Sequence, residues 1–167
     1  MDIQKLNNQL SNIGEPFVAV LIGPPLSGKD TIINQLTVDY EMISRDQILL
    51  DVHGSDDYTA AFKEVNQKEV DRLLREKLED LGNSDENVII NMTNMTRKRR
   101  KYNLSHFRGH YKIGIIFPML DDAEYARRNA KRETEENKHI PPHVIKRMVS
   151  SYQTISEDEG FDKIISL

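Results

Sequence analysis

The stretch Gly23-Pro24-Pro25-Leu26-Ser27-Gly28-Lys29-Asp30-Thr31 constrains this chain more than any other. It follows an unbroken apolar run, Phe17 to Ile22, and precedes Ile32-Ile33-Asn34-Gln35-Leu36. An apolar run of that length reads as a strand buried on both faces. The sequence therefore predicts strand, glycine-bounded loop and helix, with a lysine at the helix start. Backbone N–H groups opening onto a helix start neutralise a phosphate chain without desolvating a side chain. A lysine in that place reaches the β- and γ-phosphates of a nucleoside triphosphate. The pattern G-x-x-x-x-G-K-S/T is met except at its last position, where Asp30 stands and Thr31 follows. Gly23, Ser27, Gly28, Lys29, Asp30 and Thr31 are the expected nucleotide contacts. Asp30 with Thr31 is the expected Mg²⁺ site, the metal being held through water; the other reading of Asp30 is a carboxylate tolerated near the positive helix end.

The chain has 167 residues, 38% hydrophobic and 30% charged, which suits one domain with a full core. It has no cysteine, so disulfide and thiolate chemistry are excluded. No apolar run approaches a membrane span, and Met1-Asp2-Ile3-Gln4-Lys5 is not a basic-then-apolar leader, so the expected location is the cytoplasm, that of the host cell if the chain is phage-encoded. The formal net charge is −4, so a nucleic-acid partner requires positive charge gathered in clusters.

Strand and helix signals alternate. Residues 1–15 suggest a short amphipathic helix, and residues 29–38 the helix after the loop. Strands are expected at 41–44, 88–90, 111–117 and 162–167. Phe62, Val65, Val70, Leu73, Leu74, Leu78 and Leu81 recur at helical steps and predict one long helix from Tyr58 to Leu81. Thr96 is placed to cap a helix running to about Phe107, Asp121 or Asp122 opens one running to about Arg132, and Pro141-Pro142 starts another. This alternation predicts an α/β fold with a parallel sheet of about five strands between helical layers, residues 1–167 forming a single domain.

In such a sheet, ligands lie beyond the carboxyl ends of the strands. After the second strand come Arg45 and Asp46. Asp46 is the candidate general base, able to orient an alcohol and take its proton during phosphoryl transfer; a helix N-cap is its plainer role. Arg45 is a candidate for pairing with Asp46 or holding an acceptor phosphate. After the third strand come Asn91, Thr93 and Asn94, expected to orient substrate. Many nucleoside triphosphatases place a metal-binding aspartate where Asn91 stands. No glutamate is placed to activate water, which favours transfer to an organic hydroxyl. The run Arg97-Lys98-Arg99-Arg100-Lys101 reads either as a solvated helix face or as a contact to an acceptor phosphate, with Arg99 and Arg100 the candidates. Arg127-Arg128-Asn129-Ala130-Lys131-Arg132, followed by a polar stretch, reads either as a solvated helix face or, the favoured reading, as a lid over about residues 127–141. Lid arginines, here Arg128 and Arg132, stabilise charge on a transferring group and exclude water.

Taken with Ile140-Pro141-Pro142-His143-Val144-Ile145-Lys146-Arg147-Met148, these segments resemble, in motif order over about residues 16–152, the kinase domain of phage-type polynucleotide 5′-hydroxyl kinases. The resemblance implies a P-loop kinase-like three-layer sandwich with a helical lid, using ATP and Mg²⁺. It implies phosphate binding by Lys29, activation of a 5′-hydroxyl by Asp46 and a clamp on the transferred phosphate by Arg132. Three positions depart from the family pattern: Asp30 in place of Ser or Thr, Asn91 in place of aspartate, and no arginine within Gln47-Ile48-Leu49-Leu50 to grip the acceptor. The expected activity is transfer of the γ-phosphoryl group of ATP to a hydroxyl of DNA or RNA. Kinases of hydroxymethylated bases in phage DNA, small-molecule kinases of nucleoside-like alcohols, and a non-catalytic nucleotide-binding module are the alternatives.

Overall fold

The computed structural model describes residues 2–136 and 138–167. Its centre is β1 (Phe17–Ile22), buried at all six positions. A strand of aliphatic residues with no polar side chain is stable only when covered on both faces. It pairs in parallel with β3 (Val88–Ile90) on one side and β4 (Tyr111–Ile116) on the other. β2 (Glu41–Ile43) adds beside β3, and β5 (Lys163–Ser166) beside β4, giving the all-parallel order β2-β3-β1-β4-β5.

Side chains alternate across a strand, so β1 feeds two cores. Val18, Val20 and Ile22 pack with Leu49, Ala61, Leu74, Leu78 and Phe107. Phe17, Ala19 and Leu21 pack with Leu6, Leu10 and Ile33 on the opposite face. Helices thus cover both sides of the sheet. The first core takes α3 (Arg45–His53), α4 (Tyr58–Glu64), α5 (Gln67–Gly82) and α6 (Arg97–Leu104); the second takes α1 (Ile3–Ser11) and α2 (Lys29–Ile33). On α5, Val70, Leu74 and Leu78 form a four-residue-spaced buried stripe. Each such side chain contributes about 1.5–3 kcal/mol by leaving water.

The single helix expected from Tyr58 to Leu81 is two. Val65 is extended (φ −81°, ψ 141°), and the Asn66 side chain accepts from the Lys68 N–H at 3.0 Å to start α5. Asparagine competes well as an N-cap, and the apolar spacing runs across the break without registering it. Phe62, counted in the buried stripe, is 54% exposed. α2 ends at Ile33 rather than Val38, and α6 at Leu104. α3 was not anticipated as a helix; Ser44, not Asp46, is its N-cap, accepting from Gln47 N–H at 3.3 Å. α7 (Asp122–Glu136) outruns its expected end at Arg132, and α8 (Pro142–Ser150) begins on its proline as expected. Among the described residues no helix is long and apolar enough to cross a membrane.

Candidate active site

The loop after β1 turns twice through the left-handed region, at Leu26 (φ 66°) and Gly28 (φ 95°). A side chain is strained in that region and glycine is not, which accounts for Gly28. Gly23 is demanded by space instead: a Cβ there would lie 2.8 Å from Phe117 Cβ and 2.9 Å from Ser27 Oγ. Its N–H donates to Thr93 O at 3.0 Å, tying the loop to the segment after β3. Lys29 fills the loop from within. Its Nζ donates to Gly23 O (2.9 Å), Pro24 O (2.6 Å) and the buried Ser27 Oγ (3.3 Å). Burial pushes this ammonium down to about 8; Asp30 pulls it upward, Arg132 adds to the depression and Asp46 pulls upward again. Charges carried on α2, α3 and α7 thus bear on this one ammonium.

Asp30 and Asn91, the two departures at the donor end, touch each other. Asn91 Nδ2 donates to Asp30 Oδ1 at 2.9 Å. A carboxylate in the loop with an amide at the strand end is the reverse of the usual hydroxyl in the loop with a carboxylate at the strand end. One negative charge is kept and its position exchanged. Asp30 is exposed and supplies hard oxygen. That donor set fits Mg²⁺, which takes one or two carboxylates and fills its shell with water and substrate phosphates.

Asp46 sits exposed in the first turn of α3 and accepts from the Tyr58 hydroxyl at 3.2 Å. Tyr58 escaped the sequence reading. The only signal was Asp57, whose side chain caps α4 by accepting from Ala60 N–H at 3.0 Å and so fixes Tyr58 in its first turn. Burial first, then the charge and hydrogen bond of Asp46, push the Tyr58 phenol up to about 12. Arg45 does not pair with Asp46. It turns to α5, with Nε 3.1 Å from Asp71 Oδ1 and Nη2 2.8 Å from Gln67 Oε1.

α7 lies over the loop. Arg128 Nη1 donates to Leu26 O at 2.9 Å while its Nε holds Glu124 at 2.6 Å. Arg132 is paired along the helix with Glu136 at 3.2 Å and is 21% exposed. The buried Asn129 clasps Ile140 twice, donating to its carbonyl at 2.7 Å and accepting from its N–H at 3.1 Å. Lys138 Nζ stands 5.1 Å from the Tyr58 ring centroid.

Two expected substrate contacts are structural instead. Asn94 is buried in the left-handed region (φ 48°); its Nδ2 donates to Leu21 O at 2.7 Å and its Oδ1 accepts from Asn103 at 2.9 Å. It braces the strand ends. Arg100 is fully buried and spends its donors inside. Nε and Nη2 clamp Glu159 at 2.6 and 2.8 Å, Nη1 reaches Asn94 O and Met95 O at 3.1 and 3.0 Å, and Nη2 reaches Gln153 O at 2.8 Å. Burial raises Glu159, but the Arg100 hydrogen bonds hold it below the ordinary glutamate range. Arg97 and Lys101 also turn to this segment, donating to Thr154 O (2.8 Å) and Asp158 (2.6 Å). Arg99 and Lys98 are exposed, as a surface contact requires. Thr93 lends its carbonyl to the loop, as above.

No curated protein matches the sequence. The family described as AAA domain matches residues 18–155. Among solved structures, the fold is similar to a chain of the Pnkp1/Rnl/Hen1 RNA repair complex, with a TM-score of 0.67 and 22% identity over 84% of this chain and 46% of that one. It is similar to a gluconokinase from Sinorhizobium meliloti, with a TM-score of 0.51 and 13% identity over 91% and 82%. It is also similar to a structure of the PezAT chromosomal toxin-antitoxin system of Streptococcus pneumoniae, with a TM-score of 0.62 and 15% identity over 98% and 73%. This chain spans less than half the length of the RNA repair chain. At these identities the likeness is one of fold, a P-loop kinase-like α/β sandwich.

Proposed function

The chain belongs to the AAA domain family over its residues 18–155, and on that premise we propose that it is an ATP-dependent phosphotransferase acting on a hydroxyl of a nucleic acid. The observation that supports this reading is that α7, which carries Arg132, is tied to the phosphate loop by Arg128 Nη1 donating to Leu26 O at 2.9 Å, while Asp46 opens α3 directly after β2 and, like Arg132, bears electrostatically on Lys29. A phosphate loop alone supports binding. A carboxylate on one side of it and a lid arginine on the other support transfer.

In this reading the loop amides and Lys29 hold the β- and γ-phosphates. Asp46 accepts the proton of the acceptor alcohol as its oxygen bonds to the γ-phosphorus. The bond from that phosphorus to the β–γ bridging oxygen breaks, and its electron pair leaves on ADP. Arg132 stabilises the charge spread over the transferring group, and Arg128 keeps α7 against the loop. Asp30, steadied by Asn91 and assisted by Thr31, would hold Mg²⁺. The metal supplies charge neutralisation at the phosphates when bound.

Nucleic acid is the acceptor favoured by the resemblance to polynucleotide kinases and by the likeness to a chain from an RNA repair complex. A hydroxymethylated base in DNA fits the same chemistry, with the alcohol on the base. A second reading, a small-molecule alcohol, is favoured by the basic helix α6: with Arg100 buried and Arg97 and Lys101 paired, few of its charges stay available to a polyanion. Transfer from γ-labelled ATP is the test, with 5′-hydroxyl DNA, 5′-hydroxyl RNA, hydroxymethyluracil DNA and free nucleosides as acceptors. Label on a polynucleotide, lost in Asp46→Asn, is the expected result. Label on nucleosides alone moves the acceptor to the second reading, and label on none of them refutes this function.

A further inference from the structure

Tyr58 is joined to three features at once. Its hydroxyl donates to Asp46 Oδ1 at 3.2 Å. Its ring stacks on Phe62, one turn along α4, with centroids 6.2 Å apart and planes 27° apart. The Lys138 ammonium, just past α7, lies 5.1 Å from the same ring centroid. Asp46 belongs to α3, the ring to α4 and Lys138 to the stretch just after α7, the helix that Arg128 ties to the phosphate loop, so one side chain links the base to the end of the lid. We propose that Tyr58 is a positioning residue that fixes the Asp46 carboxylate through its hydroxyl and receives the closed lid on its ring through Lys138, so that lid closure and alignment of the base occur together.

The inference rests on the reading of Asp46 as the base and of residues 127–141 as a lid. Its physics is local. A tyrosine has two side-chain torsions, and stacking on Phe62 restrains them at small entropic cost. A phenol that donates to one carboxylate oxygen holds the carboxylate's rotation and leaves the other oxygen for the proton of the alcohol. The phenol keeps its proton across the physiological range, because burial and Asp46 both push its ionisation up to about 12. Arg45 and Arg132 act on it in the opposite sense and do not overcome this. A cation over the face of a tyrosine ring is attracted by the ring's quadrupole. That contact forms only while the lid segment lies over α4. Lid opening therefore removes a cation from the ring that orients the base, and closure restores it.

Three variants separate the two contacts. Tyr58→Phe deletes the hydroxyl and keeps the ring, Tyr58→Leu deletes both, and Lys138→Ala deletes the cation. With a working acceptor, Tyr58→Phe should lower kcat about 10-fold, the worth of one hydrogen bond to a charged group, with KM for ATP unchanged. Tryptic cleavage after Lys138 should keep its parental rate in Tyr58→Phe and rise about 2–5-fold in Tyr58→Leu, the worth of an exposed cation–π contact. Lys138→Ala should lower kcat/KM for the acceptor by a similar factor in the parent and by nothing further in Tyr58→Leu. A readout free of turnover is the tyrosine Cζ carbon titration by NMR, in which Asp46→Asn should lower the ionisation of Tyr58, its signal assigned by its loss in Tyr58→Phe. Parental kcat in Tyr58→Phe, an unmoved Tyr58 titration in Asp46→Asn, or parental cleavage in a folded Tyr58→Leu overturns the proposal. If the parent transfers phosphate to no alcohol, the proposed function fails on that result alone, and cleavage and titration still decide the Tyr58 contacts.

Discussion

Nucleotide binding should draw protons from solution at mildly alkaline pH, because Lys29 is held partly discharged in the free protein. Its ammonium is buried among the carbonyls of Gly23 and Pro24 and the hydroxyl of Ser27, and burial brings its ionisation to about 8. At pH 8.5 an amine of that kind is about one quarter charged. A triphosphate in the loop supplies several negative charges at contact distance and returns the lysine to the ordinary range near 10.4 or above, where it is almost fully charged. Binding at pH 8.5 should then take up about 0.7 proton per site, and at pH 7 only about 0.1. The second ionisation of a phosphate lies near 6, so the nucleotide itself adds little at the higher pH. Calorimetric titration at pH 8.5 in two buffers of different ionisation enthalpy measures the uptake as a difference in apparent heat. Lys29→Ala should remove it. A binding heat that does not depend on buffer at pH 8.5, or the same dependence in Lys29→Ala, refutes the reasoning. The same lysine predicts the sign of a stability change. The unfolded chain holds this proton up to about 10.4 and the folded one only to about 8. The unfolded state thus binds more protons between those values, and the free protein should gain stability as pH rises through that window.

Arg100→Met should destabilise the fold by about 3–5 kcal/mol, because it strands Glu159 without its counter-charge, and Arg100→Met/Glu159→Leu should regain most of the loss. Urea midpoints measure both, and a parental midpoint in the single variant would show that the pair contributes little. Asp30→Ser should weaken Mn²⁺ binding to the nucleotide complex at least about 10-fold by paramagnetic resonance, and Asp30→Ser/Asn91→Asp should recover it by moving the carboxylate back to the strand. A double variant no better than the single one would break the link between these positions. Arg132→Ala should lower kcat roughly 10²-fold while ATP binding changes little, a contrast that steady-state kinetics and nucleotide titration together decide. A loss confined to KM for ATP would make Arg132 a binding group.

The sheet was legible because its signals are short and local. An unbroken apolar run such as Phe17–Ile22 has one stable setting, and the glycine-bounded loop after it fixes which end of the sheet carries ligands. The same periodicity failed between Tyr58 and Leu81, since three- and four-residue spacing continues through Val65 and Asn66 while the backbone does not. Lys29, Asp46 and Arg132 stand out in the sequence by their places after strands and on the lid, and Asp46 and Arg132 both bear on the ionisation of Lys29. Arg100 could not be told from Arg99 by composition. The difference is Glu159, 59 residues away, and a pairing at that distance leaves no trace in the run 97–101. Tyr58 was hidden for the same reason: its contacts are with Asp46 and Lys138, neither within a helical turn of it. Asp30 and Asn91 were each noticed as departures; only their contact makes them one exchange.

Arg45 folds back on Gln67 and Asp71, and Tyr58 on Asp46, so residues 44–71 form one uninterrupted stretch bonded to itself. In the proposed function the donor nucleotide is held by other parts of the chain, the loop after β1 and the lid. The two halves of the reaction are thus written in separable passages. A replacement of residues 44–71 by the corresponding stretch of another member of the fold would exchange one alcohol for another and leave the nucleotide untouched. Under the proposed function a change of acceptor then needs only one paragraph of sequence to be rewritten, a route open to laboratory grafting.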